Sequence, residues 1–186
     1  CRSVLHFNNA GAALTPAPVL DTVIGHLRRE AEIGGYEAAA EAGDALAQIH
    51  ANAARLIGGA ADEIALVENA TRAWDMAFYG IDWQAGDKIL TAQAEYASNY
   101  IAFLQVARRH RVEIVTVPDE DSGQISIDAL DAMIDAKTRL IAITHIPTNG
   151  GLVNPACQVG QVARAHSIPF LLDACQSVGQ IPVDGA

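Results

Sequence analysis

Basic residues are scarce in this sequence. Lys and Arg together number 12, against 22 Asp and Glu, and the formal net charge is −10. Aromatic residues make up only 5%. Proteins that bind nucleic acid or anionic membranes need basic surfaces, and single-stranded nucleic acid is also bound by stacking on aromatic rings. The composition therefore argues against a nucleic acid partner and against a membrane partner.

Cysteines are few and long apolar segments are lacking. The three cysteines, Cys1, Cys157 and Cys175, form no C-x-x-C pair, and their odd number excludes a complete set of intrachain disulfides. No apolar run approaches the roughly 18 residues of a membrane span, and the first residues do not resemble a signal peptide. We therefore expect a cytoplasmic protein with reduced thiols.

Motifs of several common enzyme classes are absent. The sequence contains no G-x-x-x-x-G-K-[ST], no G-x-G-x-x-G after a strand, no H-E-x-x-H and no G-x-S-x-G. A nucleotide-binding protein, a zinc site and a serine hydrolase thereby lose their main sequence support.

The sequence does contain a large apolar fraction, 51% of 186 residues, which suffices for the core of a sizeable domain. Pro16 and Pro18 mark the start of a first helix, whose apolar residues recur at helical spacing as far as Leu27. Gly34 and Gly35 end it. A second, Ala-rich helix is predicted over residues 36–57.

From residue 63 onward, short apolar runs alternate with helical patterns. Runs that are apolar on both faces are typical of strands in a sheet covered by helices, so we predict an α/β fold with a mostly parallel sheet between helices. Asn154 followed by Pro155 predicts a helix start. The predicted strands are 64–67, 88–91, 113–117, 140–144 and 170–172, and the predicted helices are 71–79, 98–110, 127–134 and 155–167.

Polar residues follow the predicted strands, where ligands of parallel sheets bind. Ala70 and Thr71 open a helix, whose free backbone N–H groups suit an anion. Tyr96 offers a ring to a flat ligand. Asp173 ends a buried strand and needs a cationic partner, which a protonated heterocycle nitrogen would supply. Together with the polar residues after His145, this set suits a flat, phosphorylated, nitrogen-containing cofactor.

Each of these residues also has an ordinary structural interpretation. Asn69 or Thr71 caps a helix in many proteins, and a half-buried Tyr96 needs no ligand. His145 is typical of a structural hydrogen-bonding residue. Asp173 alternatively forms an ion pair with a residue distant in sequence.

Two segments carry a family resemblance. Residues 173–179 read D-A-C-Q-S-V-G, close to D-A-x-Q-S-x-G, and residues 145–155 read H-I-P-T-N-G-G-L-V-N-P. With these motifs the chain, from Phe7 to its end, resembles the class V aminotransferase group of fold-type I pyridoxal phosphate enzymes. That group includes cysteine desulfurases, selenocysteine lyases, isopenicillin N epimerase-like proteins and ergothioneine-pathway C–S lyases. The second segment looks most like the epimerase and ergothioneine-lyase branch.

The resemblance implies a role for particular residues around pyridoxal 5'-phosphate. Ala70 and Thr71 would hold the phosphate, and Tyr96 would stack on the ring where desulfurases carry a His. Asp173 would bond the protonated ring nitrogen, and Gln176 the phenolic oxygen.

Further roles follow from the same resemblance. The family's Asn in the loop after His145 corresponds to either Thr148 or Asn149. Asn8 and Asn9 lie in the amino-terminal arm that approaches the substrate in the family.

The resemblance also implies that this chain is the amino-terminal part of a longer enzyme. Residues 1–15 would be the arm, and 16–186 an incomplete large cofactor-binding domain without the small carboxyl-terminal domain. The family's Schiff-base Lys lies roughly two dozen residues beyond the buried Asp, past residue 186. We therefore expect the 186-residue chain alone to be inactive, since neither Lys88 nor Lys137 is suitably placed.

For the full-length protein we expect chemistry at the Cα of an amino acid, with β-elimination of the C–S lyase or desulfurase kind as the leading choice. Transamination and epimerisation are the alternatives within the family, and a homodimer is expected. An alternative of another class is a non-catalytic α/β binding module or an inactive fragment.

Overall fold

The computed structural model describes residues 4–185, so Cys1 lies outside the described residues. The chain divides into two compact units: one extends to Ala65 and includes Gly185, and the other spans Leu66–Asp184. No helix of residues 4–185 combines the length and apolarity that crossing a membrane requires.

The first unit is helical. The first predicted helix is confirmed, since Pro16 caps it and Pro18 stands in its first turn. The second predicted helix, over residues 36–57, is wrong in one respect, because the structure has two helices there. The break falls at Ala42, next to Gly43, a poor helix former. The apolar residues of these helices stay largely exposed among the described residues; Leu27, for example, is 59% exposed. The helices are α1 (Asn9–Ala12), α2 (Ala17–Ile33), α3 (Gly35–Glu41) and α4 (Gly43–Ile57), followed by a 3-10 turn at Ala61–Glu63.

The second unit contains a parallel sheet of four strands in the order β2-β1-β3-β4. Four predicted strands are confirmed, with ends shifted by at most two residues. Helices precede, separate and cover them as the sequence predicts. In chain order the elements are α5 (Ala70–Tyr79), β1 (Lys88–Thr91), α6 (Ala97–His110), β2 (Glu113–Thr116), α7 (Ile127–Met133), β3 (Thr138–Thr144), α8 (Ala156–Ala165) and β4 (Phe170–Asp173).

The strand predicted at residues 64–67 is wrong. The backbone at Ile64 is extended, but none of the described strands pairs with this segment, and Leu66 is 56% exposed. An extended segment becomes a strand only where a neighbour supplies hydrogen bonds, and apolar composition does not specify that neighbour.

Both faces of the sheet are buried, as the two-faced apolar runs predict. Ile89 and Leu140 face one cluster, which includes the aromatic residues of α5 and α6. Leu90 and Ile141 face the other, which packs against α7 and α8. Successive strand residues thus enter opposite layers.

Candidate functional site

The carboxyl ends of β1, β3 and β4 lie at one edge of the sheet. Thr91 of β1 is in register with Ala142, and Thr144 of β3 is in register with Asp173 at the end of β4. The strands are parallel, so the segments that follow them leave from the same edge. Tyr96 and His145 follow two of these strands.

The start of α5 belongs to the same edge. Trp74 of α5 contacts Phe103 of α6, with ring centroids 5.7 Å apart, and further along both helices the Tyr79 hydroxyl donates to Gln105 over 3.0 Å. Just beyond the end of α5, the carbonyl oxygen of Asp82 accepts a hydrogen bond from Arg139 Nη2 over 3.5 Å, and Arg139 stands near the start of β3. The end of α5 therefore lies toward the amino edge of the sheet, and its start lies toward the carboxyl edge.

Asn69 caps α5: its Oδ1 accepts the backbone N–H of Arg72 over 2.9 Å. The ordinary interpretation of Asn69 as a cap is thereby confirmed. Among residues 4–185, however, no acceptor meets the N–H groups of Ala70 and Thr71, and both residues are exposed. These two amides at the positive end of a ten-residue helix are available to an anion.

Tyr96 presents a partly open ring. Its backbone N–H lies within hydrogen-bond distance of Glu95 Oε1 (2.7 Å) and of Thr144 Oγ1 (3.2 Å). The side chain is 45% exposed. The residue is thus fixed through its backbone while ring surface remains for another group.

The carboxylate of Asp173 is held by neutral donors. Asn99 Nδ2 donates to Oδ2 over 2.8 Å, and the backbone N–H of Cys175 donates to Oδ1 over 3.1 Å. Within the described part of the chain no Lys, Arg or His forms an ion pair with Asp173, so the alternative of a distant ion pair finds no support there. The negative charge is available to a cation from outside these residues.

A second carboxyl group, Glu95, lies close by and was not singled out from the sequence. Its Oε1 accepts hydrogen bonds from the Thr144 hydroxyl and from Asn99 Nδ2, the latter over 3.1 Å. The Thr91 hydroxyl lies 3.3 Å from Oε2. Burial raises the pKa of Glu95, with the nearby Asp173 as a smaller cause in the same direction, and the hydrogen bonds oppose the shift.

The raised pKa of Glu95 predicts a pH-dependent loss of stability. The ordinary pKa is 4.5, so the folded state binds more protons than the unfolded state above that pH. The Glu95 contribution is fully present below pH 4.5 and is lost as the pH rises through the folded-state pKa. Glu95→Gln removes this titration. Urea unfolding of the cofactor-free full-length protein should show wild type losing stability relative to Glu95→Gln as the pH increases toward neutral.

The matched control is Glu120→Gln, an exposed site distant in sequence. It should keep the pH dependence of wild type. If the difference between wild type and Glu95→Gln stays constant from pH 4 to pH 7, the assignment of a raised pKa to Glu95 is wrong.

His145 is structural in this arrangement. It is 7% exposed, and its Nδ1 lies 3.0 Å from Ser177 Oγ, which itself donates to the carbonyl oxygen of Ala174. Burial lowers the pKa of His145. The His145 ring therefore links the end of β3 to the turn after β4 by a hydrogen bond. This agrees with its interpretation as a structural hydrogen-bonding residue.

Asn154 does not cap α8, which corrects the sequence prediction. Pro155 occupies the cap position, and Asn154, 1% exposed, instead donates from Nδ2 to the Thr144 carbonyl oxygen over 2.8 Å. Its Oδ1 accepts from the Ile125 N–H over 3.2 Å. A buried amide serves better as a bridge between the end of β3 and the segment before α7 than as a cap, because both of its polar ends need partners.

The remaining predicted site residues are placed as follows. Thr148 and Asn149 are both exposed in the loop after β3, so either remains a candidate for the family's Asn. Gln176 is partly buried in the turn after β4. Asn8 and Asn9 lie at the start of α1 in the first unit.

Both lysines lie at the amino ends of strands, as the sequence predicts. Lys88 begins β1, and its Nζ lies 2.6 Å from Asp135 Oδ2. Lys137 immediately precedes β3. Neither lysine is at the edge that carries Tyr96 and Asp173.

The edge therefore fits a flat phosphorylated cofactor with a basic ring nitrogen. It offers two unmatched helix amides, an exposed aromatic ring and a carboxylate that has no cationic partner among residues 4–185. In the described part of the chain, no group of three or more His, Cys, Asp or Glu is arranged to hold a metal.

Comparison with known proteins supports the same interpretation. The sequence profile of the family described as aminotransferase class-V matches residues 5–186. The probable cysteine desulfurase 2 of Mycobacterium leprae is 34% identical over 161 residues, which cover 81% of this chain and 38% of that protein. The probable cysteine desulfurase of Methanothermobacter thermautotrophicus is 25% identical, covering 98% of this chain and 46% of its own length. The chain thus spans half or less of these relatives.

A solved structure confirms the fold. The cystine C–S lyase C-DES, in complex with its reaction product cysteine persulfide, superposes with a TM-score of 0.84 at 24% identity. The match covers 96% of this chain and 49% of that chain. The predicted α/β architecture is thereby confirmed, and the chain spans about half of that structure.

Proposed function

We propose, from the premise that the chain belongs to the class V aminotransferase family, that the full-length protein is an enzyme acting at the Cα of an amino acid. The cofactor of this family is pyridoxal 5'-phosphate. The observation that carries the proposal is Asp173, a carboxylate held by two neutral donors and without a cationic partner among residues 4–185. A protonated pyridine nitrogen is the partner that such a carboxylate lacks.

Each residue of the edge is assigned one contact with the cofactor. The amides of Ala70 and Thr71 bind its phosphate, and Tyr96 lies against its ring. Asp173 holds the proton at the ring nitrogen, and Gln176 bonds the phenolic oxygen. Thr148 or Asn149 completes the ring contacts. For Asn8 and Asn9 of the amino-terminal arm, the resemblance alone suggests a role toward the substrate. These roles come from the resemblance, and the placement of the residues at helix starts and strand ends supports those of the second unit.

The bound cofactor supplies an electron sink for charge that develops at Cα. The protein's part is electrostatic: a carboxylate at the ring nitrogen keeps that nitrogen protonated and so keeps the ring electron-withdrawing. The resemblance assigns the proton transfers at Cα to the family's Schiff-base Lys, and neither Lys88 nor Lys137 lies at this edge. We accordingly propose that 1–15 is an arm, that 16–186 is part of the large domain, and that this chain alone has no turnover.

For the reaction type we propose β-elimination from a sulfur-bearing amino acid. Relatives bear the name cysteine desulfurase, and one structural neighbour is a cystine C–S lyase. Transamination and epimerisation are the alternatives within the family. We further propose a cytoplasmic homodimer, which sedimentation of the full-length protein will test.

The test uses full-length protein purified with pyridoxal phosphate. We expect a cofactor absorbance band that changes when L-cysteine or L-cystine is added, and product analysis then separates the chemistries. Pyruvate with ammonia indicates β-elimination, alanine with transferred sulfur indicates desulfurisation, and an oxo acid with retained sulfur indicates transamination. Absence of any cofactor band in the full-length protein refutes the enzyme proposal in favour of a non-catalytic module.

Tyr96→Ala should weaken cofactor binding moderately. An aromatic stacking contact contributes about 0.5–1.5 kcal/mol beyond its buried area, so loss of the ring is expected to raise the dissociation constant by roughly 2- to 13-fold. Equilibrium dialysis of full-length protein against pyridoxal phosphate measures this. Tyr96→Phe, which keeps the ring, is the control and should bind like wild type. Equal affinity of Tyr96→Ala and Tyr96→Phe would exclude stacking by this residue.

A further inference from the structure

Asn99 occupies a place that the proposed roles leave unexplained: it joins the two carboxyl groups of the site. Its Nδ2 donates to Asp173 Oδ2 over 2.8 Å and to Glu95 Oε1 over 3.1 Å. The side chain is 1% exposed. Resting on the proposed function, we propose that Asn99 and Glu95 are positioning residues that fix the Asp173 carboxylate for a ring nitrogen while leaving its charge uncompensated.

The orientation of the Asn99 amide follows from its two neighbours. An amide nitrogen carries two hydrogens, and here each has a carboxyl oxygen to receive it. The opposite orientation would place the amide oxygen against two acceptors and lose both bonds. Glu95 thus determines which way Asn99 points, and Asn99 determines the position of Asp173 Oδ2.

Glu95 is itself fixed by the strands of the sheet. Its Oε1 accepts from the Tyr96 N–H over 2.7 Å and from the hydroxyl of Thr144, at the end of β3. Its Oε2 lies 3.3 Å from the hydroxyl of Thr91, at the end of β1. The acid–amide–acid chain therefore connects the ends of β1 and β3, through α6, to the end of β4.

The donors in the hydrogen-bond network of Glu95, Asn99 and Asp173 are neutral, so they orient the Asp173 carboxylate without compensating its charge. An Arg or Lys partner would orient Asp173 but would also cancel its charge, whereas an amide orients it and leaves the charge. Thr91, Thr144 and Asn99 face Glu95 as neutral groups, and Asp173 is the charged side chain that acts on it. Burial raises the pKa of Glu95 and so favours its neutral form more than in an exposed Glu.

The test measures the cofactor directly in full-length protein loaded with pyridoxal phosphate that carries ¹⁵N in the ring. The ¹⁵N chemical shift reports whether the ring nitrogen is protonated, and dialysis reports affinity. Asn99→Ala should move the shift toward that of neutral pyridine and weaken binding about tenfold, the effect of one lost charge-assisted hydrogen bond. Asp173→Ala should produce the full change in the ¹⁵N chemical shift, and the change in Asn99→Ala is compared with it.

The role of Glu95 is tested by two variants, Glu95→Gln and Glu95→Ala. This pair also tests the positioning role if Asn99→Ala does not fold. Gln has the shape of Glu, keeps an acceptor for Asn99 and places a donor toward Thr91. Glu95→Gln should therefore retain the wild-type shift and affinity, whereas Glu95→Ala should resemble Asn99→Ala. Gln105→Ala is the control on α6: it removes an exposed amide that contacts Tyr79 and should change neither readout.

The outcomes separate this inference from the proposed function. Wild type that binds no pyridoxal phosphate would refute both. If Asp173→Ala changes the shift but Asn99→Ala matches Gln105→Ala, only the positioning role is refuted. If Glu95→Gln is as impaired as Glu95→Ala, the role of residue 95 as an acceptor that positions Asn99 is refuted.

Discussion

Asp173→Ala is expected to lower the turnover of the full-length protein by roughly 10²-fold or more while the fold is retained. The variant removes the negative charge that holds the proton at the ring nitrogen, and loss of one preorganised electrostatic partner costs about 10²- to 10³-fold in turnover. The side chain is partly buried, and Asn99 keeps Glu95 as an acceptor after the change, so the sheet should remain intact. Steady-state kinetics with circular dichroism of the same preparation measures both effects.

The control for this variant is Asp121→Ala, which removes the same charge from an exposed turn of the same unit. It should retain wild-type turnover. Near-normal turnover of Asp173→Ala would refute the assigned role, and unfolding of Asp173→Ala alone would show that the carboxylate is structural.

Phe103→Ala should have the largest effect on stability. Phe103 is fully buried, and its ring lies 5.7 Å from that of Trp74 and 5.4 Å from that of Phe78. Truncation of a buried Phe costs about 3–5 kcal/mol, because it removes apolar burial and leaves a cavity. The contact joins α6 to α5, so cofactor affinity should fall as well. Urea unfolding of the full-length protein, followed by fluorescence, measures the change in the free energy of unfolding.

Gln105→Ala, on the exposed side of the same helix, is the matched control and should change the unfolding free energy by no more than about 0.5 kcal/mol. A similar small change for Phe103→Ala would mean that the aromatic cluster does not hold α5 and α6 together.

The strands of the sheet could be predicted because burial on both faces leaves a simple sequence pattern. Residues 89–90 and 140–143 are apolar at consecutive positions, and each run lies in a strand between two packed layers. Residues 64–67 show the same pattern without forming a strand. Pairing depends on a neighbouring strand, and composition of one segment does not reveal whether that neighbour is present.

The apolar stripes of the first unit illustrate a similar limit. The helical spacing of α2 is correctly predicted, yet Val23 is 53% exposed among the described residues. Periodicity gives the angle at which apolar residues emerge from a helix, but not what covers them.

The site was predictable only in part. Asp173 and Tyr96 were identified because each follows a buried strand, where ligands of parallel sheets bind. Glu95 and Asn99 were missed, although they carry a signal: a Glu and an Asn four residues apart at the start of a helix that follows a strand. That spacing brings both side chains to one face, but their meeting with Asp173 depends on the order of the strands.

Asn154 was misassigned for the same reason. A helix start with Asn before Pro favours a cap, and only the neighbouring loop, through the N–H of Ile125, makes a buried bridge more favourable. Local sequence rules describe local hydrogen bonds, and a tertiary partner overrides them where it satisfies both ends of the amide.

A crystal structure of the full-length protein grown with pyridoxal phosphate tests the account most directly. We predict a carboxylate oxygen of Asp173 within about 3 Å of the ring nitrogen, with the phosphate at the amides of Ala70 and Thr71. A ring nitrogen bonded to another side chain or to water, with Asp173 paired to a basic residue instead, would contradict it.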